Sequence, residues 1–465
     1  MKRRMYIVIL IISILSLFTG CSNKRNNDIA TSNITNKPIE IMDPIANKPT
    51  NQIKDKNETL DYTQNIFFQD AKDVINAVEA THPIFVVDKV PEFYEEKKQE
   101  YLSSITNDIK PYEFVLLTRK YLTSLGDLHT NVTGQQDWYF MDVNCYDDGE
   151  KFYLLDDAGQ VTKSSIIKID GIPVQNIFKI VDLYFPSENP TGVDFNHSVW
   201  SVYKPILELA GCDVSQDTLR VTIDANGTIV EKHIAFIKKL YYDAYSYTTE
   251  IHSELIEDIY YIDLNTCVLN EIKFKEEIEK LKDAINNGIS KVIIDVRNNG
   301  GGNAEYGRQL LDALGMIAPE YGSTFRLSPL ASELRKWNKT SGIVENAINS
   351  YVVRNNKINL VVLTNEYTFS AATMLGVYVQ DGKLGTLIGR PSINAPSCYS
   401  DVVQYETKNS KISINISYLK LNRPDMKADQ KTLVPDIITD VGEDSLQRAI
   451  DFLDSKANIG KNNNY

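Results

Sequence analysis

The sequence has 465 residues, 43% hydrophobic and 24% charged, with 23 Gly and 16 Pro, a profile that excludes a collagenous or wholly disordered chain. At roughly 150 residues per domain this length holds two or three domains. Its 49 Lys and Arg against 62 Asp and Glu give a formal charge of −13. That balance argues against a nucleic-acid partner, because backbone binding draws its affinity from Lys and Arg. Five cysteines leave one over from any complete pairing.

Lys2, Arg3 and Arg4 precede an uncharged, mostly apolar run from Met5 to Phe18. The run is shorter than the ~20 residues of a spanning helix and has the form of a secretory signal. It ends Leu17-Phe18-Thr19-Gly20-Cys21, which resembles a bacterial lipoprotein lipobox with Phe18 where Leu is preferred. The resemblance implies that residues 1–20 are a signal peptide, that Cys21 becomes the acylated N-terminus, and that the protein is held on the extracytoplasmic face of a cell membrane. Losing three positive charges with the signal takes the net charge from −13 to −16. Residues 21–60 are rich in Asn, Lys, Thr, Pro and Asp without helical or strand periodicity, and read as a flexible tether.

From Leu60 the pattern is that of a folded chain. Phe68, Ala71, Val74, Ile75 and Val78 share one helix face, and Phe114, Leu117, Tyr121 and Leu125 another, so residues 61–135 are expected to form a helical domain ending at Gly126-Asp127-Leu128-His129-Thr130. Residues 136–245 read as a β-rich module, with strands at 165–170 and 218–223, turns at Asp170-Gly171 and Asn226-Gly227, and one or two helices, of which 177–185 is the clearest. Residues 250–455 alternate strand and helix: strands at 259–264, 291–296 and 360–363, helices at 274–286 and 304–314, and a helix opening near Phe369. Such alternation predicts a sheet covered by helices. Residues 456–465 read as a disordered tail.

Three places carry chemistry. Asp295-Val-Arg297-Asn298-Asn299-Gly300-Gly301-Gly302-Asn303 is a glycine-rich turn directly after a buried strand, able to present backbone N–H groups, and it lacks the lysine of a phosphate loop. In Thr364-Asn365-Glu366-Tyr367-Thr368-Phe369-Ser370-Ala371-Ala372 a strand gives way to a helix at a serine. A helix N-terminus suits an oxyanion, while an ordinary N-cap serine reads the same way. His129 closes the helical segment at a loop, and none of the five histidines (82, 129, 197, 233 and 252) has a His or Cys neighbour at metal-ligand spacing, so neither a metal nor another cofactor is expected.

In order, D-V-R-N-N-G-G-G, V-V-L-T-N-E-Y-T-F-S-A-A, L-I-G and L-V-P-D resemble the tail-specific, or C-terminal processing, family of serine peptidases. The upstream T-H-P and G-D-L-H-T resemble its histidine-containing, tricorn-like branch. The resemblance spans about residues 65–455. It implies an α/β fold with a crotonase/Clp-protease-like catalytic core, an N-terminal helical domain and a small β-rich, PDZ-like module, with polypeptides as substrates.

The family's lysine-dyad branch places its lysine 25 positions after the serine, where this sequence has Ala395. Lys383 lies in a turn, which leaves His129 as the base for Ser370. The resemblance further implies an acid a few residues before Pro435-Asp436, at Asp429, with Asp127 and Glu366 as alternatives. It also implies an oxyanion hole from Gly301 or Gly302 together with Ala371. Tricorn-like enzymes carry a serine before the histidine, and here that residue is Leu128. Asp295 and Arg297 are read as loop scaffolding. The 166–174 segment loosely resembles a PDZ-like insert without a Gly-Leu-Gly-Phe-type loop, and Tyr241, Tyr242, Tyr245 and Tyr247 read as scattered packing. A non-catalytic peptide- or lipophile-binding lipoprotein on the same fold is the competing expectation, and an extracellular solute-binding lipoprotein a more distant one. With Cys21 taken by lipid, Cys145, Cys212, Cys267 and Cys398 are expected to be free buried thiols.

Overall fold

The computed structural model describes residues 65–133, 138–239 and 251–462. Cys21, the signal, the whole tether and the tyrosine cluster at 241–247 lie outside them. The catalytic half is organised by a six-stranded sheet in the order 437–438, 386–389, 359–364, 291–295, 259–263, 252–256. Its strands run parallel except His252–Ile256, which pairs antiparallel with Ile259–Asp263. Both faces are covered, which is why the strands read as continuous apolar runs. Val292, Ile294, Leu360 and Val362 pack under the helices Glu271–Asn286, Glu305–Ala313 and Ala371–Gly382. Ile293, Val361 and Leu363 meet Ala449 and Leu453 of the C-terminal helix Ser445–Asn462 on the opposite face. Every strand and helix expected in this half lies within a few residues of its predicted place. The helix 271–286 starts earlier than its apolar stripe because Asn270 caps it, its side chain accepting from the N–H groups of Ile272 and Lys273.

The helical segment is present as Ile66–Thr81, Tyr94–Ser103 and Pro111–Thr123, with a short turn at Ile84–Val87. It is not a separate domain. Val74, Val78, Phe114 and Tyr121 share one core with Val403, Ile414, Ile416 and Tyr418, which belong to a second, five-stranded sheet built from Tyr399–Glu406, Ser413–Asn422, Gly322–Leu327, Gly342–Asn346 and Asn131–Thr133. That sheet was not anticipated from the sequence.

The middle module has seven antiparallel strands. Asp170-Gly171 and Asn226-Gly227 form its expected tight turns with positive φ at both residues. It carries three helices rather than one or two: Val174–Tyr184, Pro190–Trp200 and Lys204–Leu209. The second opens on Asn189, whose side chain accepts from the N–H of Gly192, with Pro190 at the first helical position. This module's apolar core extends to Leu128, Phe369 and Ile393, so it packs directly against the loops that carry the chemistry.

Candidate active site

The strand Asn359–Thr364 delivers its chain into a loop that reaches Ser370 just before the helix Ala371–Gly382. Ser370 is not an ordinary N-cap. Its backbone has φ 53° and ψ −119°, and its hydroxyl accepts no bond from the first helical turn. A residue with a β-carbon is strained in that region, and such strain collects at functional sites. It is sustained by neighbours: the Ser370 N–H donates to Asn394 Oδ1 at 2.8 Å, and Phe369, fully buried, donates its N–H to the Asn299 carbonyl at 2.9 Å.

Several bonds staple the serine loop to the glycine loop. Asn365 Oδ1 accepts from the Asn298 N–H at 3.0 Å, Asn365 Nδ2 donates to Asn298 Oδ1 at 2.9 Å, and Thr368 Oγ1 donates to the Val296 carbonyl at 3.0 Å. Glycine is required where the loops touch. A β-carbon on Gly301 would lie 2.7 Å from Ser370 Cβ and 2.9 Å from the Phe369 carbonyl oxygen, and one on Gly302 would lie 2.3 Å from the Cys267 carbonyl oxygen. Asp295 and Arg297 scaffold this loop as expected. Arg297 Nε and Nη2 donate to the Asp295 carboxylate at 2.9 and 2.6 Å, and Tyr261 donates its hydroxyl to it at 2.9 Å.

The oxyanion donors sort themselves by their existing partners. The Gly301 N–H is already given to Asn299 Oδ1 at 2.8 Å, which corrects its expected role. Gly302 and Ala371 make no backbone N–H donation to any described protein group and are the pair left for a developing negative charge.

His129 is 2% exposed and its ring lies against that of Phe369, centroids 4.6 Å apart, so the histidine loop meets the residue preceding the serine. Both ring nitrogens are without a hydrogen-bond partner among the described residues. Burial lowers the imidazole pKa below its ordinary value, against the opposing pull of the Asp127 charge, and a neutral ring is the form that can accept a proton.

The nearest carboxylate is Asp127, with Oδ1 3.9 Å from His129 Nδ1. It is completely buried, and three groups hold it: the His129 N–H donates to Oδ1 at 2.9 Å, and His82 Nε2 and Ser417 Oγ lie 3.0 and 2.6 Å from Oδ2. Since His82 Nδ1 accepts from the Ile84 N–H at 3.2 Å, its proton sits on Nε2 and is donated to Asp127. Burial pushes the Asp127 pKa up, but the His82 contact and the other donors outweigh it and keep the carboxyl well below the usual range.

Asp429 is not part of this constellation. It is exposed, and its Oδ1 closes a turn on the N–H groups of Lys431 and Thr432 at 2.8 and 3.1 Å, a local option that a short aspartate takes readily. Glu366 is engaged with Arg390, accepting from Nε at 2.9 Å. Lys383 is exposed at the far end of a twelve-residue helix, about 18 Å along the axis from Ser370, while Ala395 lines the cleft beside the serine. That cleft is a shallow, partly open one between Ser370, Met374, Asn394, Ala395, Tyr321 and Leu421.

Glu188, from the middle module, escaped the sequence reading. Its Oε2 accepts from Asn394 Nδ2 and the Ala395 N–H, both at 2.7 Å, and its Oε1 accepts from the Leu128 N–H at 3.2 Å. Burial and the Asp127 charge push its pKa up to about 7. The local Ser-Glu-Asn-Pro pattern signals only a helix start. The cysteines at 145, 212, 267 and 398 are buried and form no disulfide among the described residues, as expected.

A strained serine on a helix N-terminus after a parallel-sheet strand, with glycine backbone on its β-carbon and a buried histidine against the residue before it, suits a serine hydrolase. Residues 258–439, which hold the glycine loop and Ser370, match peptidase family S41, and this match indicates a serine peptidase. The comparison with curated proteins finds no match. Among solved structures, mature CPAF superposes with a TM-score of 0.54 at 13% identity, over 80% of this chain and 92% of that one. CPAF complexed with lactacystin gives 0.56 at 13% identity, over 84% and 97%. The photosystem II D1 C-terminal processing protease gives 0.42 at 14% identity, over 80% and 93%. At these identities the likeness to CPAF is one of fold.

Proposed function

We propose that the protein is a membrane-anchored, extracytoplasmic peptidase that cleaves polypeptides by acyl transfer through Ser370, His129 and Asp127. The observation that carries this reading is the Ser370 backbone, held at positive φ with its hydroxyl free and glycine backbone packed on its β-carbon. Ser370 Oγ attacks the scissile carbonyl while His129 takes its proton and later returns it to the leaving amine. Asp127, held ionised, stabilises the imidazolium that forms. The N–H groups of Gly302 and Ala371 receive the oxyanion, where losing one donor typically costs roughly a hundredfold to a thousandfold in rate. His129 carries no hydrogen bond to Ser370 in this state; such contacts commonly tighten only with substrate in place. The lipobox-like Cys21 supports the anchor, and the middle module's contact with the serine loop supports a role in presenting substrate.

The test is labelling with a fluorophosphonate and hydrolysis of casein. Ser370→Ala and His129→Ala are expected to abolish both, while Asp429→Ala leaves them within about twofold. Hydrolysis that survives Ser370→Ala sinks the assignment, and well-folded wild type that neither labels nor cleaves casein transfers it to the non-catalytic binding protein. Cys21→Ser is expected to move the protein from the detergent phase to the aqueous phase in phase partition.

A further inference from the structure

The mechanism uses one edge of His129 and leaves an unusual charge arrangement around it. One donor atom each from Asp127, His129 and Glu188 lies within 4.8 Å of the others. The three come from two chain segments about 60 residues apart, which is why no spacing in the sequence announces them.

Each carboxylate is half-saturated in the same way. Asp127 Oδ2 takes His82 and Ser417, while Oδ1 takes only the His129 N–H. Glu188 Oε2 takes Asn394 and the Ala395 N–H, while Oε1 takes only the Leu128 N–H. One oxygen of each therefore keeps lone pairs, and the outer oxygens are fixed by the kind of supporting bonds that orient metal ligands. The imidazole between them is 2% exposed with both nitrogens unpartnered, an expensive state for a buried polar group. None of the groups bonded to either carboxylate is a Lys or Arg, and the neighbouring Asp401 already has Arg335 at 2.6 Å. Two carboxylates this close repel each other, and a divalent cation neutralises both while satisfying the orphaned nitrogen.

We propose that Asp127, His129 and Glu188 form a binding site for a divalent cation of the zinc class, and that its occupation silences the peptidase by taking His129 away from Ser370. This rests on the assignment of His129 as the base. One nitrogen and two carboxylate oxygens with a fourth position for water suit Zn²⁺, whose bonds to such ligands run about 2.0–2.2 Å. Tetrahedral binding at that length draws donor atoms to roughly 3.4 Å from one another, a contraction of up to about 1.4 Å from the 4.8 Å within which they lie. Zn²⁺ binds through the unprotonated imidazole, so the same lone pair cannot then accept the serine proton, and chelation restores it.

The experiment is a Co²⁺ titration of the full chain, read by the visible absorption of the tetrahedral ion, beside fluorophosphonate labelling with and without Zn²⁺. Wild type is expected to bind one equivalent, and Zn²⁺ is expected to displace the Co²⁺ and slow labelling at least about tenfold, with full recovery on EDTA. Glu188→Gln is expected to weaken Co²⁺ binding by more than the roughly 10–100-fold that loss of an outer-shell partner costs, and Ser417→Ala by that smaller amount. No Co²⁺ band in wild type overturns the proposal, as does a band unchanged in both Glu188→Gln and His129→Ala. Labelling that fails even in EDTA while Co²⁺ still binds overturns the peptidase assignment and the silencing, and leaves the cation site standing.

Discussion

Ser370 tolerates its strained backbone only while Gly301 lies against it. Gly301→Ala places a β-carbon inside contact distance of Ser370 Cβ and of backbone at Phe369 and Ala371, so the loops must part. The expected outcome is a loss of at least about a hundredfold in kcat/KM, because the donor at Gly302 moves with its neighbour, with the melting temperature lowered as well. Asp127→Asn removes the charge facing the imidazolium and is expected to reduce kcat by about a hundredfold or more, in contrast to Asp429→Asn. The pH dependence follows from burial of His129: its folded pKa lies below the ordinary value near 6.5. The acidic limb of kcat/KM, measured on a peptide substrate, is therefore expected below about pH 6.5.

Among the elements, the two loops of the site act as one piece. Asn365 bridges to Asn298 through both its amide atoms and also accepts from the Tyr367 N–H at 3.1 Å. Asn365→Ala is expected to cost about 1–2 kcal/mol in denaturant unfolding and to lower kcat more than it raises KM, since Ser370, the proposed nucleophile, loses its support rather than the substrate its contacts. The parallel strands and their helices were legible from the sequence because a strand buried on both faces leaves an apolar run, and Asp-Gly and Asn-Gly announce their turns. The sheet of Tyr399–Glu406 and Ser413–Asn422 was not: these two strands pair with each other, but Gly322–Leu327 and Asn131–Thr133 complete the sheet from far away along the chain, and periodicity carries no record of such pairing. Ser370, His129 and the glycine loop stood out as residue types at element boundaries. Asp429 misled because only its distance from Pro435 could be read, and its carboxylate prefers nearby backbone. Glu188 had no signal, since its meaning comes from Asn394 and Leu128, each about 60 to 200 positions away.

For the molecule as a whole, stability is built partly from charge inside the middle module. His197 lies between Asp147 at 2.8 Å and Asp182 at 3.0 Å and stacks on Phe178 with ring centroids 4.1 Å apart. Burial works against its charge, but the hydrogen bonds from the two aspartates outweigh that and raise its pKa to about 9. A histidine raised above its unfolded value near 6.5 gives its full stabilisation below that pH and loses it as pH climbs through 9. Thermal unfolding is therefore expected to show an alkaline decline between about pH 6.5 and 9 that His197→Asn removes, at a cost near neutrality of about 1.5–3 kcal/mol.

The pairing of Asn131 with Asn415, the bond from the Ser417 N–H to Thr130 Oγ1 at 3.0 Å and the Ser417 bond to Asp127 also set a time. Asp127 and Ser417 are 290 positions apart, so a chain emerging from its N-terminus carries the histidine loop long before the strand that supports it exists. The Asp127 contact, and with it this support of the His129 loop, can form only when nearly nine-tenths of the chain's length has been made.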